Sequence, residues 1–237
     1  MKTALVTGST QGIGRAIAAR LVRDGFRVMV HCSRDLAKAE RVRDEIGAHG
    51  AVVCDLSDRA QVAALQGQTG DVDVLVLNAR VQYKQKWQDI TDRELDTQLE
   101  VNVISALHLM QAYYPAMKKK GFGRIITIGS VNQHRRHPEL SLYAATKCAV
   151  MSLVENIAKE VAPFGVTVNN VSPGAIATPR NAAVYEDAAA RAQVEACIPL
   201  GRFGTPEECA GIVAFLAGEE SAYITGADIK TDGGMSL

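Results

Sequence analysis

The sequence predicts an α/β fold: one doubly wound parallel sheet of about seven strands with helices on both faces. Three observations predict it. Short apolar runs alternate with helical patterns almost from end to end of the 237 residues. Several of those runs are rich in Val and Ile without polar alternation, which marks strands buried on both faces. The first run also passes through a glycine-rich turn directly into a helical pattern. Strand–helix–strand alternation of this kind implies right-handed crossovers and a parallel sheet covered on both sides.

The strands are expected at residues 4–7, 27–31, 51–54, 72–77, 124–128, 167–171 and 228–231, and the helices at 12–24, 37–46, 59–66, 92–119, 141–162 and 206–217. Gly25 follows the first helix where a left-handed cap belongs, and Pro206 opens the last one as a first-turn proline. One segment breaks the rhythm. Residues 173–204 hold no strand, carry Pro173, Pro179 and Pro199, and include an Ala-rich helix at 181–196. Ligands of open α/β sheets bind beyond the carboxyl ends of the strands, so this segment is expected to be a substrate lid; a surface excursion is the alternative. No repeat or linker interrupts the pattern, and residues 1–237 read as a single domain.

Composition removes several classes of function. The 26 Lys and Arg balance 26 Asp and Glu, and a pI near 7.0 lacks the basic excess of a nucleic-acid binder. No apolar run approaches the ~20 residues of a membrane span. The chain opens on a strand with no apolar signal region, and its five cysteines show no CxxC spacing. They read as reduced, mostly buried thiols of a cytoplasmic protein. Cys148 reads as helix packing. The five histidines lack ligand spacing, so no metal site is expected.

Two constellations carry chemistry. Thr7-Gly8-Ser9-Thr10-Gln11-Gly12-Ile13-Gly14 joins the first strand to the first helix. Glycines there let the backbone approach a pyrophosphate, and the helix N-terminus offers free N–H groups. Tyr143 and Lys147 stand one helical turn apart, with Ser130 upstream. A cation held beside a phenol favours its ionised form, which suits a proton donor and acceptor, and a serine hydroxyl is placed to hold the same substrate oxygen.

These motifs, with Asn78-Ala79 after the fourth strand, Pro173-Gly174, and the ending Gly226-Ala227-Asp228 to Asp232-Gly233-Gly234, resemble the short-chain dehydrogenase/reductase family over nearly the whole chain. The resemblance implies a single Rossmann-type domain using NAD or NADP, and a homo-oligomer, tetramer or dimer. It makes Tyr143 the acid/base, Lys147 its cationic partner at the nicotinamide ribose, Ser130 the group orienting the substrate, and Asn102 the holder of a relay water. Gly8, Ser9, Gln11, Gly12, Ile13 and Gly14 would cradle the phosphates. Asn78 and Ala79, with Pro173, Gly174, Ile176 and Thr178, would also line the cofactor, Pro173 to Thr178 as the loop at the carboxamide and phosphates. Asp55 and Leu56 match the adenine contact, although Asp55 serves equally well as a cap of the third helix.

At the end of the second strand, the place where an acidic residue binds the ribose of NAD holds Ser33, followed by Arg34. A guanidinium suits a 2′-phosphate, so NADP is expected ahead of NAD, with adjacent Asp35 able to neutralise Arg34. Two departures stand out. Arg80 replaces a family glycine, at about 1 kcal/mol if the backbone there is left-handed. The loop before Tyr143 carries Asn132, Arg135 and Arg136, which with Arg180 are the candidate substrate residues; solvated arginines are the alternative.

The expected activity is interconversion of a carbonyl and an alcohol, with a sugar- or polyol-type compound or a 3-oxoacyl thioester as substrate. The alternative is a catalytically silent, dinucleotide-binding regulator or partner subunit.

Overall fold

Seven strands pair in parallel in a computed structural model covering residues 1–237. They are β1 (Thr3–Val6), β2 (Arg27–Cys32), β3 (Gly50–Val53), β4 (Val74–Leu77), β5 (Gly123–Ile128), β6 (Val166–Pro173) and β7 (Asp228–Thr231). Their order is β3-β2-β1-β4-β5-β6-β7. The order reverses between β1 and β4, and a crevice opens there at the carboxyl ends. Every residue of β4, β5 and β6 is buried, the apolar run of β4 and the polar Thr167, Asn169, Asn170 and Ser172 of β6 alike.

Helices cover both faces. On one side lie α1 (Gly12–Arg23), α2 (Leu36–Ile46) and α9 (Pro206–Ala217), packing Ile17, Leu21 and Val213 onto the sheet. On the other lie α3 (Arg59–Thr69), α5 (Ser105–Lys120) and α6 (Ser141–Val161), with Leu65, Leu109, Tyr113 and Val154 in the core. Side-chain caps begin several helices. Asp35 and Asp58 cap α2 and α3, and capping boxes at Thr91–Glu94 and Thr205–Glu208 start α4 (Asp92–Leu99) and α9.

Three stretches differ from expectation, each because a side chain finds a partner the local pattern does not show. The helix expected across 92–119 is interrupted by a π-helical turn at Glu100–Ile104, between α4 and α5. The helix expected at 181–196 breaks at Asp187 into α7 (Ala182–Glu186) and α8 (Ala188–Glu195). The Asp187 carboxylate accepts from the N–H groups of Ala189 and Ala190, each at 2.9 Å, so it caps rather than continues a helix. Strand β6 runs on to Pro173 because buried Asn170 and Ser172 both donate to the Asp228 carboxylate on β7, at 2.6 and 2.7 Å. Of the five free cysteines, Cys32, Cys54 and Cys209 are buried, while Cys148 and Cys197 are exposed.

Leu75, in the middle of β4, is fully buried. Leu75→Ala is expected to cost about 2–5 kcal/mol of unfolding free energy, read as a lower urea midpoint at unchanged slope.

Candidate active site

The glycine loop is stitched to three strands. Asn78 Nδ2 donates to the carbonyls of Thr7 and Gly8 at 2.9 and 3.1 Å, and Thr7 Oγ1 accepts from the N–H groups of Asn78 and Ala79 at 2.9 and 3.0 Å. From β2, His31 Nδ1 accepts the Gly8 N–H at 3.0 Å while its Nε2 donates to the Cys54 carbonyl at 3.0 Å. A Cβ on Gly14 would lie 2.3 Å from the Gly8 carbonyl oxygen and 2.4 Å from Asn78 Nδ2, so only glycine fits. The loop edges a cleft of about 470 Å³ reached by Gln11, Gly12, Ser33, Asp55, Leu56 and Ala79. Ser9, expected at the cofactor, is fully buried, and its Oγ accepts the His31 N–H at 2.9 Å.

At the far end of the cleft Arg34 pairs with Asp55, Nη2 to Oδ2 at 2.7 Å. The expected alternatives resolve on geometry: Asp35 caps α2 and so does not neutralise Arg34, and Asp58, not Asp55, caps α3. Burial opposes the charge on Asp55, yet hydrogen bonds from Ser57 and Arg34 hold its carboxyl below the ordinary range. Lys38 joins Arg34 on this rim, its Nζ bonded to Gln11 Oε1 at 3.1 Å. Sequence reasoning passed over both Lys38 and His31. The signal for His31 was present: a lone imidazole inside the apolar run Val28-Met29-Val30 to Cys32 has to find buried partners.

Tyr143 and Lys147 lie one turn apart on α6, and both are buried. Lys147 Nζ sits 5.7 Å from the centre of the Tyr143 ring and donates to the Ile128 carbonyl at 2.8 Å. Burial, reinforced by the charges of Arg80 and Arg180, pulls the Lys147 ammonium down to about 7. Ser130 begins a short 3₁₀ turn, where its Oγ accepts from the Asn132 N–H at 3.2 Å, and its own N–H is held by Gln133 Oε1 at 2.8 Å. Asn102, within the π turn, is committed to structure. Its Oδ1 accepts from Val81 N–H at 2.9 Å, and its two amide hydrogens go to the Val81 carbonyl and Thr146 Oγ1 at 2.9 and 3.1 Å.

Ser130 and Tyr143 open onto a second cavity of about 240 Å³, also lined by Asn132, Pro173, Gly174 and Ile176. Ile13, Arg80, Thr178 and Arg180 border both this cavity and the glycine-loop cleft, so the two are contiguous. Arg135 and Arg136, expected at the substrate, do not line it; Arg136 donates back to the Gln133 carbonyl at 3.2 Å. Arg80 carries no strain, because no residue other than glycine has a positive φ.

The features of the cleft fit a dinucleotide. The Gly8–Gly14 cradle leaves no room for a Cβ at Gly14. The N-cap Gln11 makes no side-chain bond to the first turn of α1, which leaves N–H groups for a phosphate. Buried Asn78 Oδ1 and Thr178 Oγ1 have no protein partner.

Comparison with known proteins agrees with this geometry. The family model described as enoyl-(acyl carrier protein) reductase matches residues 8–236. The chain is 38% identical over 241 residues to the 3-oxoacyl-(acyl-carrier-protein) reductase FabG of Escherichia coli strain K12, covering 100% of this chain and 98% of that protein. Among solved structures, a 3-oxoacyl (acyl-carrier-protein) reductase of Agrobacterium tumefaciens C58 with NADP bound superposes with a TM-score of 0.92 at 34% identity, covering 98% of this chain and 93% of that one. A gluconate 5-dehydrogenase of Burkholderia cenocepacia J2315 in complex with NADP and tartrate gives 0.91 at 32%, covering 99% and 95%.

His31 accepts from Gly8 only as a neutral ring, and burial pulls it from 6.5 to about 4. Between those values the unfolded chain binds a proton that the folded chain refuses, so stability is full above pH 6.5 and falls as pH drops towards 4. The total is about 3 kcal/mol at ~1.4 kcal/mol per unit. Urea unfolding at pH 7 and pH 5 is expected to show a loss of about 2 kcal/mol in the wild type beyond that of His31→Gln. Parallel losses in the two proteins would refute the assignment.

Proposed function

Because this chain belongs to the short-chain dehydrogenase/reductase family, we propose that it interconverts a carbonyl and an alcohol with NADP, Tyr143 serving as acid and base. The observation that carries this reading is the contiguity of the glycine-loop cleft with the small cavity onto which Ser130 and Tyr143 open. When bound, the nicotinamide dinucleotide supplies or accepts the hydride at the substrate carbon.

The chain's own residues handle the proton. In the reducing direction the Tyr143 hydroxyl gives its proton to the carbonyl oxygen as negative charge develops there. Ser130 Oγ already accepts from the Asn132 N–H, so its own hydrogen is free to donate to that oxygen. Lys147 holds its amino group, a cation in the protonated form, one turn from the phenol. Asn102 locks Val81 and Thr146 in place, and with both amide hydrogens used, a relay water would rest on the main chain of the widened turn. Thr146 Oγ1 in turn donates to the Tyr143 carbonyl at 2.7 Å, which ties the relay to α6.

Ser33, Arg34 and Lys38, with no carboxylate directly after β2, support NADP over NAD. Segment 173–204 is read as the lid, since Val184 of α7, Val194 of α8 and Phe203 all border the second cavity. A homo-oligomer is part of the same proposal; sedimentation equilibrium reads its size.

Tyr143→Phe is expected to lower kcat by roughly 10²–10⁴ with an unchanged melting temperature, measured as NADPH oxidation. The substrate panel pairs an acetoacetyl thioester with sugar acids and their keto forms. Full activity in the variant would remove Tyr143 as acid and base, whereas a wild type that binds NADPH and turns over none of these substrates would favour the silent-regulator reading. Cofactor choice is checked separately: NADPH is expected to exceed NADH in kcat/KM by at least about tenfold, a preference erased in Arg34→Leu.

A further inference from the structure

Two guanidinium groups stand at the junction of the two cavities with no acid to answer them. Arg80 follows β4, and Arg180 follows the Thr178-Pro179 turn beyond β6; Arg180 Nη2 donates to the Arg80 carbonyl at 3.3 Å. That bond fastens two loops far apart in sequence and holds the Arg180 fork at the mouth of the small cavity. Neither arginine forms a salt bridge, although twelve other ion pairs are present. No Asp or Glu lines the 240 Å³ cavity. Lys147 is buried close by without lining this cavity, and its proton affinity is depressed by that burial first and then by both arginines. Two like charges facing one small space repel each other and favour an anion there.

The phosphates of the dinucleotide have other partners than these two arginines. The pyrophosphate has the glycine loop and the uncapped start of α1, and the 2′-phosphate end has Arg34 and Lys38. Arg180 borders both cavities, and in the smaller one it stands with Asn181 and an apolar wall of Val131, Leu140 and Phe203. A planar fork on one side, unpaired amide groups such as the Asn132 and Gln82 side chains, and an apolar wall together describe a compact, oxygen-rich acid.

We propose that Arg180, supported by Arg80, binds the carboxylate of a small oxo or hydroxy acid and thereby sets its carbonyl or carbinol carbon against Ser130 and Tyr143. The inference rests on the oxidoreductase reading of this cavity. The carboxylate makes and breaks no bond; it fixes which end of the substrate enters first and which carbon reaches Tyr143. Arg80 sits where its backbone is unstrained, so its side chain is free to serve the cleft.

The test compares 3-oxobutanoate with its neutral methyl ester as substrates with NADPH, and titrates tartrate calorimetrically into enzyme saturated with NADP. The wild type is expected to prefer the acid, and Arg180→Met to collapse the acid-to-ester ratio of kcat/KM by roughly 30-fold or more, through KM for the acid. Reading the ratio cancels any loss common to both substrates. Arg180→Lys is expected to keep part of the preference, since it retains charge without the fork. Tartrate binding is expected in the wild type and not in Arg180→Met, with melting temperature and NADP affinity alike in both. Equal use of acid and ester by the wild type overturns the proposal. So does an Arg180→Met protein whose NADP affinity falls while the ratio holds, because the arginines then serve the cofactor. If acid, ester, thioester and sugar acids are all inert, the oxidoreductase reading fails, and tartrate binding still decides the anion site on its own.

Discussion

The site depends on one bridging amide. Asn78 Nδ2 reaches the carbonyls of both Thr7 and Gly8, and Thr7 Oγ1 returns two bonds to the backbone of Asn78 and Ala79. Those four bonds join the exits of β1 and β4 at the point where the strand order reverses. The crossovers send their helices to opposite faces there, and without a tie the crevice floor would be two independent loops. The tie also explains Gly14, whose Cβ would fall on the same amide nitrogen. Glycine loop and asparagine are therefore one constraint expressed at two places in the sequence. His31 completes it from the other side by holding the Gly8 N–H.

Charge is distributed unevenly along this floor. At the end of the cleft beyond β2, Arg34 is well exposed and paired with Asp55, so its field is largely screened. At the catalytic end the cations are Lys147, Arg80 and Arg180, with no carboxylate among them. Lys147 is buried with its ammonium on the Ile128 carbonyl. In the proposed reaction a cationic field at this end would favour negative charge at a substrate oxygen beside Tyr143, and it is in place before the reaction begins. Burial, with the same field adding to it, lowers the proton affinity of Lys147 itself.

The sheet was legible in the sequence because buried parallel strands need unbroken apolar runs. All seven strands were expected, with their ends displaced by a residue or two. The catalytic spacing was legible for a related reason: Tyr143 and Lys147 share a helix, so their relation is local. What escaped depends on partners distant in the chain. The π turn around Asn102 is accompanied by bonds from its side chain to Val81 and Thr146. Ser9 turns inward because the N–H of His31 awaits it. Arg34 chooses Asp55, twenty-one residues away, over its neighbour Asp35, which α2 claims as a cap. Arg135 and Arg136 looked like substrate residues by position, yet the short turns flanking them point other side chains of that loop, Val131, Asn132, His137 and Leu140, at the cavity.

The departures from the family pattern fall on loops that leave the strands, and the physical reason is accommodation. Asn102, Ser130, Tyr143 and Lys147 are all buried, and the side chains of Asn102, Ser130 and Lys147 are hydrogen-bonded to the backbone of Val81, Asn132 and Ile128, so replacing one of these disturbs another segment or turn. Arg80 occupies a backbone position that demands no left-handed conformation, so a long side chain enters without strain. It then finds space in a crevice whose walls are already fixed from below. A scaffold tied at its floor in this way leaves the rim free to change what the cavity recognises, while Ser130, Tyr143 and Lys147 stay where α6 and the end of β5 put them.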